Sequence, residues 1–209
     1  MLVLGALTQA TGNAVTAARI ARHVGSAHRV IVRDVNTSTA CELRALVDAE
    51  EIDAAIGVHA LLSGGFLRTL GVPYALVFGG TDLYEPVHPL QHKQMTAAVK
   101  AATWLVAFSE ENRARATSMW SREVDVVPQA VDVSGIDDDY SLRAQLRLPN
   151  GEPMVLLPTA LRRVKDPTFA IDAFASRAPR AHLVVVGTIL EPDYADAALA
   201  TARAHGSLR

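Results

Sequence analysis

The stretch Met154-Val-Leu-Leu-Pro-Thr-Ala-Leu-Arg-Arg-Val-Lys-Asp-Pro167 organises the rest of the chain. Its first four residues are apolar, a short run of the length expected for a buried strand. A loop with Arg162, Arg163 and Lys165 follows. Asp166 and Pro167 then announce a helix, an N-cap residue type followed by proline, whose missing N–H and fixed φ suit the first helical position. Strand, basic loop and helix form one unit. The partial positive charge of a helix N-terminus disfavours three cations immediately upstream of it. An anion held between the side chains and the helix N–H groups removes that conflict. An ordinary helix start with solvated basic residues is the alternative that the residue types leave open.

Upstream of this unit, apolar runs alternate with amphipathic segments as far as Pro128. Strands are expected at Leu2 to Leu7, Val30 to Val32, Ala54 to Val58, Tyr74 to Phe78, Trp104 to Ala107 and Val124 to Val127. Helices are expected at Ala14 to Val24 with Asn13 as N-cap, Thr39 to Val47, Phe66 to Leu70, Gln91 to Ala101 and Glu110 to Met119. The strands are continuous apolar runs, the pattern of a parallel sheet buried on both faces. Ligands of such a sheet sit at the carboxyl ends of its strands, here the loops Thr8–Asn13, His59–Gly65 and Gly79–Glu85. From Gln129 the pattern stops in a segment rich in aspartate, serine and glycine that reads as an inter-domain linker. A short helix is expected at Ser141 to Leu146. The alternation then resumes with the Met154 strand, a helix from Thr168 to Ala178, a strand from His182 to Val186 and a helix from Tyr194 to His205.

The predicted organisation is an N-terminal Rossmann-like domain over 1–128, a linker over 129–150 and the first part of a second doubly wound domain over 151–209. Leu183 to Val186 reads as a central strand that wants a neighbour on each side, and two strands do not make an independently stable sheet. A longer chain, a dimer or a partner subunit is therefore expected to complete the second domain.

Half of the 209 residues are hydrophobic, enough for a sizeable core, and the net charge of −2 gives no electrostatic footprint for nucleic acid. The only cysteine is Cys41, which excludes a disulfide framework and a zinc cluster. No apolar run reaches membrane-spanning length. MLVLGALTQA lacks a basic region ahead of its apolar residues, so it reads as a first strand and not a signal peptide, and a cytoplasmic location is expected.

Four segments carry a family resemblance. Phe78-Gly-Gly-Thr-Asp-Leu83 is similar to the "HGTDL" strand-end loop of family 4 glycosyltransferases. Val106-Ala-Phe-Ser-Glu110 resembles their "v-S-e" strand end. Leu161 to Pro167 resembles a shortened form of their donor-phosphate loop, and Thr11 to Ala17 the loop that opens their first helix in one subgroup. Within the family the motifs match best the glycosyltransferase 1 domain-containing group, with the selenosugar synthases a near neighbour. The resemblance implies a GT-B fold with an incomplete second domain. It implies a metal-independent, retaining transfer from a nucleotide sugar, a UDP-sugar by expectation, to an acceptor that the sequence does not name. No cofactor beyond that donor is expected. A selenosugar synthase acting on selenophosphate and a non-catalytic chain that binds nucleotide or a partner subunit are the alternatives. The chain ends before the family's glutamate pair, E-x7-E, and Ala160 stands where the subgroup has glycine.

By that resemblance Arg162 and Lys165 hold the donor diphosphate. Cations and helix N–H groups placed there stabilise the charge that a leaving nucleoside diphosphate gains. Arg163 is assigned to solvent. Gly12 and Asn13 either shape the acceptor side or simply cap a helix after a tight turn. Gly80 and Thr81 follow a strand, and the glycine pair permits close approach of backbone to a ligand. Asp82 orients an acceptor hydroxyl or acts as a base, or else is a turn residue. His59 is the second catalytic candidate, against a hydrogen-bonded structural histidine. Ser109 has no histidine–carboxylate set in view and is not read as a nucleophile. Asp137 to Asp139 reads as a solvated loop, not a metal site. Trp104 and Trp120 read as core or interface.

Overall fold

The computed structural model describes residues 1–7, 12–131, 133–135, 137, 139–177 and 181–204. Of the expected features, Thr8 to Thr11 of the first strand-end loop, Asp132 and Asp138 of the linker, Ala178 and His205 lie outside the described residues. The chain divides into two compact units, Met1–Asp132 and Val133–Arg209.

The first unit is a parallel six-stranded sheet. Its strands are β1 (Leu2–Gly5), β2 (Ile31–Asp34), β3 (Ala55–Val58), β4 (Tyr74–Val77), β5 (Trp104–Ala107) and β6 (Asp125–Val126). Its helices are α1 (Gly12–Val24), α2 (Ala40–Ala49), α3 (Ala60–Leu67), α4 (Thr81–Tyr84), α5 (Pro89–Ala101) and α6 (Glu110–Trp120). Alternate residues of a strand face opposite sides of a sheet. Leu2 and Leu4 accordingly join one apolar cluster with Leu43, Leu76 and Phe78, while Val3 joins another with Ala17 and Val58. Burial on both faces explains why these strands read as unbroken apolar runs. Phe78 stacks on Trp120 with ring centroids 5.4 Å apart. Trp104 is not in the core: it is exposed and gives its indole N–H to the Asp125 carboxylate.

The strand order is β2-β1-β3-β4-β5-β6. The chain moves outward from β1 to β2, then crosses back to place β3 on the other side of β1. The order thus reverses between β1 and β3, and in open α/β sheets ligands bind outside the carboxyl ends at that switch point.

Several helix limits differ from the sequence reading. Helix α1 starts at Gly12, so Asn13 lies in its first turn and is not its N-cap. Thr39 is a cap and not a helical residue: its hydroxyl accepts from Glu42 N–H at 3.2 Å, and Glu42 accepts from Thr39 N–H at 2.8 Å. Helix α5 starts at Pro89, with His88 Nδ1 accepting from Leu90 N–H. The largest difference is α3. His59 to Gly65 reads as a loop and Phe66 to Leu70 as a short helix, yet the chain turns helical immediately after His59 and the helix ends at Leu67. Gly64 serves close packing, since a Cβ there would come within 2.6 Å of the Ala98 Cβ on α5. Likewise the expected loop Gly79–Glu85 contains the one-turn helix α4. Ser109 caps α6, accepting from Asn112 N–H at 3.2 Å.

In the second unit, β7 (Met154–Pro158) and β8 (His182–Val186) pair in parallel from Met154↔His182 to Pro158↔Val186. Helices α7 (Leu142–Gln145), α8 (Pro167–Arg177) and α9 (Pro192–Ala204) accompany them. The segment Arg163–Lys165, expected as a loop, forms a 3-10 turn. Among the described residues β8 pairs with β7 alone. No helix among the described residues is long and apolar enough to cross a membrane.

Candidate functional site

Two clusters of candidate residues form, one in each unit. In the first unit the carboxyl ends of β3 and β4 bring together His59, Gly79, Gly80, Thr81 and Asp82. His59 follows β3 directly and has φ +75°, ψ +110°, a conformation that costs a non-glycine residue of order 1–3 kcal/mol and persists only when its surroundings impose it. What imposes it is visible. His59 N–H donates to Val77 O at 2.8 Å, and its Nε2 lies 2.7 Å from the Thr81 hydroxyl. Its Nδ1 is buried without a hydrogen-bond partner, 3.9 Å from Asp82 Oδ2.

Asp82 is 2% exposed. Its Oδ2 accepts from Ala60 N–H at 2.7 Å, and its Oδ1 accepts from Gly79 N–H at 3.0 Å and Gly80 N–H at 2.9 Å. The carboxylate thus ties the start of α3 to the turn after β4. Gly80 carries φ +97°, which fits glycine and lets the turn fold back onto that carboxylate. Gly79 is needed for space: a Cβ there would come 3.0 Å from Asn13 Oδ1 and 3.1 Å from the His59 ring. Asn13 therefore reaches the same strand ends from the first turn of α1. Gly12, which opens that helix, has nothing near its missing Cβ.

The second cluster surrounds Arg162, where the loop after β7 lies against the segment after β8. Leu161 N–H donates to Thr188 O at 2.9 Å, and Glu191 N–H donates to Leu161 O at 3.1 Å. The three cations then divide. Arg163, assigned to solvent from the sequence, is exposed but engaged: its N–H donates to Glu191 Oε2 at 3.2 Å, and its Nε lies 3.9 Å from the same oxygen. Arg162 and Lys165 have no carboxylate within ion-pair distance among the described residues. Arg162 Nε is buried without a partner. A buried donor left unmatched in a folded chain calls for an explanation.

Asp166 links the 3-10 turn to α8 in the left-handed region, at φ +37°. Its Oδ1 accepts from Thr168 Oγ1 at 2.5 Å and from the Tyr194 hydroxyl at 3.1 Å. Thr168 foremost, then Tyr194, hold the Asp166 carboxyl below its ordinary range, with Phe169 N–H adding to them. Tyr194 gives no sequence signal, because it arrives from α9, far along the chain. Because the Asp166 carboxyl is held low, the stabilisation is complete above the ordinary aspartate range. It disappears as pH falls through the lowered value. Tyr194→Phe removes one donor, so the Asp166 carboxyl should titrate at higher pH, closer to an ordinary aspartate. Carboxyl carbon-13 NMR reads this directly, and an unchanged titration would show that the tyrosine does not support the turn.

These clusters lie on a chain with measurable likeness to known proteins. No family model matches it. It is 28% identical over 205 residues, 92% of its length, to the glycosyltransferase 1 domain-containing protein 1 of Xenopus tropicalis, and it spans 59% of that relative. The motif resemblance therefore extends to nearly the whole chain. The structure of Anabaena HepE in complex with UDP and glucose superposes with a TM-score of 0.77 at 18% identity, covering 98% of this chain and 66% of that one. UDP-GlcNAc 2-epimerase from Neisseria meningitidis, bound to UDP-GlcNAc, matches with a TM-score of 0.54 at 12% identity over 97% of this chain and 68% of that one. At these identities the structures establish the fold alone, the expected α/β architecture with a six-stranded parallel sheet in the first unit and two paired strands in the second.

Proposed function

We propose that the chain carries the donor-diphosphate and acceptor half-sites of a GT-B glycosyltransferase, retaining and metal-independent, that uses a UDP-sugar. The observation that carries this reading is the division of charge ahead of α8. Arg163 faces Glu191, with its Nε 3.9 Å from that carboxylate, while among the described residues Arg162, with an unmatched buried Nε, and Lys165 have no carboxylate partner and remain for an anion. The first N–H groups of α8 are already engaged, Thr168 N–H with the Tyr194 hydroxyl and Phe169 N–H with Asp166, so the attraction for the anion rests on the two side chains. As the bond between the anomeric carbon and the diphosphate breaks, negative charge grows on the leaving oxygens. Cations already held in place stabilise it without reorganising. The acceptor oxygen forms the new bond to that carbon from the face the diphosphate leaves, and its proton passes to the departing diphosphate oxygen.

On the acceptor side, Thr81 presents a hydroxyl held by His59 Nε2 at 2.7 Å. His59 is 6% exposed, so it acts through Thr81 and not by touching the acceptor directly. Asp82 has both oxygens occupied by backbone N–H groups, which makes it the residue that positions Gly80 and Thr81. Asn13 flanks the same strand ends, next to Gly79. The names of the curated relative and of the UDP-bound structures support this reading, as does the location of the first cluster at the carboxyl ends of β3 and β4, beside the sheet's switch point.

Calorimetric titration of UDP into the chain tests it. Wild-type protein should bind, and Lys165→Ala should weaken binding about tenfold or more, the worth of one charge-assisted contact. A folded wild-type chain that does not take up UDP, or a Lys165→Ala variant that binds equally well, would rule out the assignment.

A further inference from the structure

A cavity of about 600 Å³ opens beside Asp82 in the first unit, with no role in the reading so far. Its lining includes Leu83, Val87, Met95 and Met119, with Tyr84 and Arg115 among its polar-ended residues. Leu83 and Met95, both almost fully buried, form its apolar floor. Arg115 is fixed in two ways. Its Nε donates to Leu83 O at 2.5 Å, and its guanidinium carbon lies 4.6 Å from the Tyr84 ring centre. Tyr84 is anchored in turn, donating its hydroxyl to Glu111 Oε1 at 3.1 Å. No ion pair of Arg115 exists among the described residues, so its two terminal nitrogens, four N–H donors, are uncommitted. A guanidinium held by its Nε and by an aromatic face loses little freedom on binding, and its planar fork suits a carboxylate or phosphate.

We propose that this cavity is the acceptor subsite and that it takes an acceptor in which an anionic group stands next to an apolar moiety. Arg115 binds the anion and Met95, Met119 and Val87 take the apolar part. The proposal rests on the glycosyltransferase reading for the word acceptor. The geometry of the cavity does not depend on it. Continuity with the strand-end cluster is supplied by Asp82, which lines the cavity and also holds the turn bearing Thr81. Glu85 lines the cavity too, and its charge opposes the anion that Arg115 attracts.

The test uses the full chain and three probes: phenyl phosphate, inorganic phosphate and benzyl alcohol. Binding is followed by amide NMR at Tyr84, Met95 and Arg115. Phenyl phosphate should bind about tenfold more tightly than either of the others, since each of them lacks one half of the recognition. Arg115→Ala should reduce phenyl phosphate to the benzyl alcohol level, and Arg115→Lys should fall between. Salt provides a readout that needs no variant: raising it should weaken phenyl phosphate and leave benzyl alcohol unchanged. Equal binding of phenyl phosphate and benzyl alcohol, or the absence of any shift at those three amides, would overturn the proposal. Failure of UDP to bind while phenyl phosphate binds would remove the donor reading and leave the cavity's chemistry standing.

Discussion

Asp82→Ala is expected to destabilise the first unit by about 3–5 kcal/mol, because removing one side chain orphans several donors together. The Ala60, Gly79 and Gly80 N–H groups all point at this carboxylate, and none of them has another acceptor among the described residues. A buried N–H left without a partner costs about 1–3 kcal/mol, and water admitted by the smaller alanine would recover part of that for the two glycines. The expected order is Asp82→Ala worse than Asp82→Asn, since asparagine retains one acceptor oxygen but directs an NH₂ group at an N–H. Chemical denaturation followed by tryptophan fluorescence is suited to this, because Trp120 is buried against Phe78 in the same unit. A loss below about 1 kcal/mol for the alanine variant would mean that the turn after β4 is held by something other than this carboxylate.

Gly187→Ala is expected to be nearly as damaging in the second unit, for a steric reason. A Cβ at Gly187 would lie 1.9 Å from Thr159 O and 2.5 Å from its carbonyl carbon. These are backbone atoms and cannot swing aside as a side-chain end would. Any retreat pulls on the Thr159 N–H to Val186 O bond of 2.9 Å and the Leu161 N–H to Thr188 O bond of 2.9 Å. Those bonds set the register immediately before Arg162. The cost should be about 3 kcal/mol, the upper range for overpacking. UDP binding should fall with it, because the arginine loop loses its anchor. Hydrogen exchange at Val184 to Val186, together with a UDP titration, measures both effects. A variant that keeps full protection and full UDP affinity would show that β7 and β8 tolerate separation at this point.

Much of the fold is legible in the sequence because burial leaves a direct trace. A parallel strand covered on both faces must be apolar throughout, so β1, β3, β4 and β5 show themselves as short unbroken runs. The basic loop shows itself by a conflict, three cations ahead of a helix N-terminus. Helix α3 is hidden for the opposite reason. Glycine at 64 and 65 carries a low helix propensity, and the contact with Ala98 on α5 explains Gly64 alone, since a Cβ at Gly65 would meet nothing.

The sequence by itself determined the alternation, the class of sheet and the positions of Arg162, Lys165, His59 and Asp82, because strand burial, loop charge and capping chemistry act over a few residues. It did not determine which of the three cations faces a carboxylate, or that Asp82 is fully occupied by backbone donors. Nor could it show that Tyr194 supports Asp166, or that Arg115 and Tyr84 meet beside a cavity. Each of those depends on groups far apart in the chain, brought within hydrogen-bond range only when sheet and helices pack. Tertiary structure decides them because hydrogen bonds and ion pairs fade within a few ångströms, and no local pattern encodes which distant partner will arrive.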